Sequence, residues 1–192
     1  MLFYYVSMIE SGEDQRKFAR LYENYKYTMM YAASQILHDQ FLAEDAIHQA
    51  FLKIINNLEK IDESNVPKTK AFLVIIARNT AKDIYCEHYG RKDDDKEISL
   101  EDVEDLSDVY HERSVESQVM EQYDVNKLVK TIEALPEIYS DILQLKYSQG
   151  LSDSKIAELL GLSSETVRKR LQRAKLKLAK EIKKQETRAY AT

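Results

Sequence analysis

Apolar residues recur with the 3.6-residue period of an α-helix along most of this chain, and that period limits the folds open to it. In FARLYENYKYTMMYAASQIL (18–37), Phe18, Leu21, Tyr22, Tyr25, Met29, Ala32, Ala33 and Ile36 share one face. FLAEDAIHQAFLKIINNLEKI (41–61) repeats the pattern through Ala46, Ile47, Ala50, Phe51, Ile54, Ile55 and Leu58. A half-buried strand would alternate with period two, which neither run does. Turn residues point the same way: 4 Gly and 2 Pro in 192 residues are too few for a sandwich or barrel. The expectation is an all-α protein.

DESNVPKTK (62–70) reads as a loop around Pro67. AFLVIIARNTAKDIYCEHYGRK (71–92) then predicts a third long helix, with Gly90 as a C-cap. Its front half is apolar nearly all round, which suits the most buried helix of a bundle. From 91 to 117 the periodicity stops. Asp93 to Glu116 holds eleven acids against Lys96 and Arg113, a net charge of −9. Such a segment buries too little apolar surface to fold alone and predicts an acidic, flexible linker. The expected layout is two small helical domains, 1–90 and 118–184, joined by the linker 91–117 and followed by a tail, 185–192.

Several functions are disfavoured by what the sequence lacks. Cys86 is the single cysteine, so no intrachain disulfide can form, and it reads as a cytosolic bystander thiol. The opening MLFYYVSMIESGEDQRK is apolar but has no basic lead and meets charge at Glu10, so neither a signal peptide nor a membrane span is expected. The expected location is the cytoplasm. Asp93–Asp95 are consecutive and cannot easily aim at one ion, and His38, His48, His88 and His111 form no ligand pair, so no metal or cofactor is expected. No nucleophile–base motif is visible, and an enzyme is not expected. Tyr22, Tyr25, Tyr27 and Tyr31 could stack bases, but at this helical spacing they read as core and interface filling.

The total charge of −5 hides a basic C-terminal stretch. Lys146 to Arg188 carries twelve bases and five acids, a net of +7, and a polyanion responds to the local field. Within it, GLSDSKIAELLGLSSETVRKRLQRAKLKLAKEI (150–182) has the spacing of a helix-turn-helix. Small Ala157 allows a close helix crossing, Gly161 permits a left-handed turn, and Val167 locks the second helix onto the first. Ser163 or Ser164 can cap that second helix. Val167, Leu171, Ala174 and Leu178 fall inward. The expected duplex-reading set is Ser163, Ser164, Glu165, Thr166, Arg168, Lys169, Gln172 and Arg173. Arg170, Lys175 and Lys177 lie further along, placed for phosphates as Arg173 also is.

Residues 134–178, ALPEIYSDILQLKYSQGLSDSKIAELLGLSSETVRKRLQRAKLKL, resemble region 4 of sigma-70-type factors. FLAEDAIHQAFLKIINNL (41–58) is similar to region 2.2, an "AED..Q..FLK.W" run, and AFLVIIARNTAKDIY (71–85) is similar to the helix of regions 2.3–2.4. The order of regions, with no region 3 between them, resembles the extracytoplasmic-function group. The resemblance implies a factor that joins core RNA polymerase and directs initiation at promoter DNA. It implies docking on the β′ clamp through Glu44, Asp45, Gln49, Phe51 and Leu52. It implies that region 4 reads the −35 element and packs on the β flap. The loop and helix at 62–83 would meet −10 DNA through Lys68, Lys70, Arg78, Asn79 and Lys82, with Asn79 near a captured base. A cognate anti-sigma factor would be a further partner. A helix-turn-helix regulator working without polymerase is the alternative reading. The family's Arg-rich stretch after its conserved Asp is here IYCEHYGRK, and Ile55 stands near its usual aromatic position.

Overall fold

The structure, a computed structural model, describes residues 2–90 and 125–189, and the acidic linker read from the sequence lies outside the described residues. The described residues are helical and fall into two compact units, one before and one after that segment.

The N-terminal unit holds α1 (Leu2–Ser7), α2 (Gly12–Leu37), α3 (Gln40–Ile55), a 3-10 turn (Leu58–Lys60) and α4 (Val66–Tyr89). Helices α2, α3 and α4 pack pairwise, and α1 lies against α2 and α3. Ser11 caps α2, its hydroxyl accepting from the Asp14 N–H. The α2–α3 connection is a two-residue corner. His38 ends α2 in the left-handed conformation at φ 52°, and Asp39 at once caps α3 by accepting from the Leu42 N–H at 2.9 Å.

Helix α4 starts earlier than the sequence predicts. Pro67 lies in its first turn, where the missing N–H costs nothing, and Asn65 caps it by accepting from the Lys68 N–H. The expected C-cap is in place: Gly90 has φ 76° and its N–H reaches the Cys86 carbonyl. Phe72, Leu73, Ile75, Ile76, Ala77, Ala81 and Ile84 are buried, as expected of the central helix. Lys53 of α3 reaches Thr80 Oγ1 at 3.2 Å and Asp83 at 3.6 Å, tying α3 to α4.

One end of this core is aromatic. Tyr5, Phe18, Tyr22 and Phe51 meet with ring centroids 4.8–6.3 Å apart. Helix α1 is too short to persist alone; buried Tyr5 anchors it, with its hydroxyl 2.8 Å from His48 Nδ1. Burial, with Tyr22 and Tyr4 nearby, pushes the Tyr5 phenol up to about 12. The tyrosine run divides. Tyr22 packs on Phe51 as core filling, whereas Tyr27 and Tyr31 are exposed and lie outside the core. Successive residues of a helix are about 100° apart, so a run of tyrosines cannot all face inward.

The C-terminal unit holds α5 (Val125–Glu133), α6 (Glu137–Leu143), a π turn (Gln144–Ser148), α7 (Asp153–Leu160) and α8 (Ser164–Ala189). Helix α8 packs against α5, α6 and α7. It continues to Ala189, past the domain edge drawn at 184, since no Gly or Pro interrupts it. Gln185 exchanges a hydrogen bond with Thr131 of α5. Among the described residues no helix is long and apolar enough to cross a membrane.

Candidate nucleic-acid and polymerase interfaces

Helices α7 and α8 form the helix-turn-helix. Ser152 caps α7 through the Lys155 N–H, and Lys146 of the π turn holds Asp153 in its first turn at 2.6 Å. Gly161 ends α7 at φ 63°, ψ 30°. The Leu162 N–H reaches the Ala157 carbonyl at 2.9 Å and the Gly161 N–H reaches Glu158 at 3.4 Å, the paired bonds of a Schellman turn. Ala157 and Val167 are buried where the helices cross, as their spacing predicts. Of the two serines that could cap α8, Ser163 does so. Its hydroxyl accepts from the Thr166 N–H at 3.1 Å and sits 2.8 Å from Thr166 Oγ1.

Val167, Leu171, Ala174 and Ile182 face the core of this unit, while Leu178 is half-buried. Ser163, Glu165, Arg168, Lys169 and Gln172 are exposed; Ser164, Thr166 and Arg173 are half-buried. Lys169 Nζ lies 2.9 Å from Glu165 Oε1. That hydrogen bond, with the charges of Lys169 and Arg168, holds the Glu165 carboxyl below its usual range, so it stays ionised. Arg168 Nε leans back on the Ser164 carbonyl at 3.4 Å. Lys175 and Lys177, expected to lie near phosphates, each also meet a tyrosine ring. Their ammonium groups sit 5.7 Å and 5.4 Å from the rings of Tyr147 and Tyr139, where they pack α8 on the preceding turns. The aromatics Tyr139 and Tyr147, in α6 and the π turn, are the signal that could have flagged this.

On the N-terminal unit, Glu44, Asp45 and Gln49 are exposed on α3 and Leu52 is half-buried. Gln40 donates to Glu44 and Gln49 to Asp45, each at 3.0 Å. These neutral donors orient the carboxylates without cancelling their charge. Phe51 departs from the expected docking set: it is 1% exposed, inside the aromatic cluster, and cannot meet a partner in the folded state. Phe41 is 83% exposed on the same face as Asp45 and Leu52, and was missed because it opens the helix ahead of the motif. Counted from Ala43, the amide position of the "AED..Q..FLK.W" run falls on His48, and Gln49 stands one residue on.

Along α4, Lys70, Arg78 and Lys82 follow one i, i+4 ridge that also carries Val74; Lys70 is exposed, and Arg78 and Lys82 are half-buried. Lys68 lies in the first turn. Asn79 is half-buried, its amide donating to the Ile75 carbonyl at 2.8 Å, which holds it against the helix. Among the described residues no group of His, Cys, Asp and Glu could hold a metal ion.

One unit carries a helix-turn-helix with exposed cations at the start of α8, and the other exposes carboxylates along α3, a pairing that suits a promoter-recognition factor. Family models and relatives identify that class. The family models Sigma-70 region 2 and Sigma-70, region 4 match residues 21–91 and 126–178. The chain is 31% identical over 160 residues to RNA polymerase sigma factor SigZ of Bacillus subtilis, covering 82% of each. It is 31% identical over 134 residues to the ECF RNA polymerase sigma-E factor of Haemophilus influenzae, covering 68% of this chain and 69% of that protein. The solved structure of CnrH in complex with the cytosolic domain of CnrY is 19% identical at a TM-score of 0.36, covering 95% of this chain and 94% of CnrH. The chain belongs to the sigma-70 family, as a sigma factor of the extracytoplasmic-function type. It is a DNA-binding factor that joins core RNA polymerase for promoter-specific initiation, which disfavours a regulator acting without polymerase.

Proposed function

We propose that α8 reads duplex DNA at −35 while the N-terminal unit docks on the β′ clamp and handles the −10 element. The observation that carries the −35 half is the start of α8. There, backbone N–H groups, Ser163, Ser164 and Thr166 stand at the positive end of a helix dipole, beside exposed Arg168, Lys169 and Gln172. Arg168 is the base reader, and Lys169 and Arg173 hold phosphates. Glu165 keeps Lys169 in place until DNA competes for it. The C-terminal unit also packs on the β flap in this reading.

For docking, Glu44, Asp45, Gln49 and Leu52 form the contact face, with Phe51 supporting it from behind. Lys68, Lys70, Arg78 and Lys82 bind −10 phosphates, and Asn79 lines the place of an unpaired base. The domain edges stay near 90 and 118, with the acidic segment between them acting as a tether. The protein works in the cytoplasm, has no catalytic reaction of its own, and has a cognate anti-sigma factor as a third partner.

Run-off transcription with core polymerase tests the reading. The full chain should yield specific transcripts, and Asp45→Lys should abolish both core retention and transcript. A charged contact reversed in partial desolvation costs several kcal/mol, on the order of 2–5. Unchanged retention of Asp45→Lys would overturn the docking assignment.

A further inference from the structure

The outer side of α1 is unusual for a surface. Residues 2–8, LFYYVSM, carry no charge, yet Phe3 is 86% exposed and Tyr4 53% exposed. Apolar surface clustered this way marks an interaction site more often than a solvated face. The helix is held rigidly, because Tyr5 on its inner side is buried and bonded to His48. Tyr4 meets the same histidine, with ring centroids 5.9 Å apart. His48 lies one turn after Glu44 and one turn before Leu52 on α3. The α1 surface is therefore continuous with the docking face of α3.

We propose that α1 is an aromatic flank of the core-polymerase interface, with Phe3 and Tyr4 seating in an apolar recess beside the basic surface that takes Glu44 and Asp45. The inference rests on the docking reading of α3. Charge selects the partner. The first basic residue of the chain is Arg16, whereas Glu10, Glu13, Asp14, Glu44 and Asp45 are acidic. Nucleic acid and anionic lipid would be repelled, while a protein surface with basic and apolar character fits. Exposed aromatics held on a rigid support lose little freedom on binding, which is what an anchoring contact needs.

The test is the affinity of the labelled full-length protein for core polymerase. Phe3→Ser and the double variant Phe3→Ser/Tyr4→Ser should each keep the wild-type circular dichroism spectrum. The double variant should bind core about tenfold more weakly, a loss of an anchor-sized contact. Phe3→Leu, which restores apolar area, should recover most of the affinity. Asp45→Lys is measured in parallel. If Asp45→Lys abolishes binding while Phe3→Ser and the double variant bind as wild type, the flank is refuted and the α3 reading stands. If Asp45→Lys binds normally, the α3 reading fails, and with it this extension. If the serine variants only dissolve a self-associated form of the free protein, seen by sedimentation, and leave core affinity unchanged, the patch is a homotypic contact and the proposal is overturned.

Discussion

Gly161 offers the sharpest test of how the helix-turn-helix is built. It sits at φ 63°, ψ 30°, held by the Leu162–Ala157 and Gly161–Glu158 bonds of the turn. A Cβ in this left-handed conformation costs about 1–2 kcal/mol. Alanine returns part of that, about 0.4–1 kcal/mol, by narrowing the unfolded ensemble. Gly161→Ala should therefore destabilise the C-terminal unit by about 1 kcal/mol. Asparagine tolerates this conformation, so Gly161→Asn should fall between alanine and glycine. For a domain of this size each kcal/mol moves the melting temperature by about 4–8 °C. A unit of roughly 65 residues is stable by about 3–10 kcal/mol, so most molecules stay folded at 25 °C. Thermal unfolding of the full chain, followed by circular dichroism, reads the stability. Run-off transcription at 25 °C and near the transition reads the function. The expected result is near-normal transcription at 25 °C and an early loss on warming, graded Gly, Asn, Ala. Two outcomes refute the reasoning. One is an alanine variant that melts like wild type. The other is transcription lost at 25 °C with melting unchanged, which would make Gly161 a DNA contact rather than a turn residue.

Four further outcomes are expected. Arg168→Ala should cost about 1–3 kcal/mol at a matched −35 element and relax sequence preference. Lys169→Ala should weaken all duplexes alike and flatten the salt dependence by about 0.9 in log–log slope; wild-type affinity and selectivity in both variants would refute the outward-face assignment. His38→Gly should relieve the left-handed corner at φ 52° and raise the stability of the N-terminal unit on the order of 1 kcal/mol, read as a higher melting temperature; a lower one would mean that the corner is not strained. Arg20 donates to both oxygens of Glu63, at 3.0 and 2.6 Å, and holds its carboxyl below the usual glutamate range. A carboxylate depressed in the folded state stabilises above its unfolded pKa and loses that contribution as pH falls through the folded one. Acidification from about pH 4.3 downward should thus lower the melting temperature of wild type more steeply than that of Glu63→Gln, and equal slopes would refute the linkage.

Local patterns carried most of the architecture. The helices of the 18–89 block, the cap at Gly90 and the crossing of Ala157, Gly161 and Val167 were legible because each depends on residues within a turn or two of one another. The outward-facing residues of α8 followed from the same geometry, since one buried stripe leaves the opposite side to solvent. What the sequence left open needed a third dimension. Ser163 and Ser164 were equal candidates until the Thr166 N–H chose the first. Lys175 and Lys177 meet the rings of Tyr147 and Tyr139, contacts with earlier parts of the chain that helical spacing along α8 does not reveal. Phe51 and Phe41 are the same residue type on one helix, yet one is sealed among Tyr5, Phe18 and Tyr22 and the other is bare. Helix α1 is the extreme case, because six residues have no helical stability of their own and it exists through Tyr5. Period and capping are nearest-neighbour properties, so the linear sequence determines them. Burial depends on which distant side chains arrive to exclude water, and only the assembled core decides that.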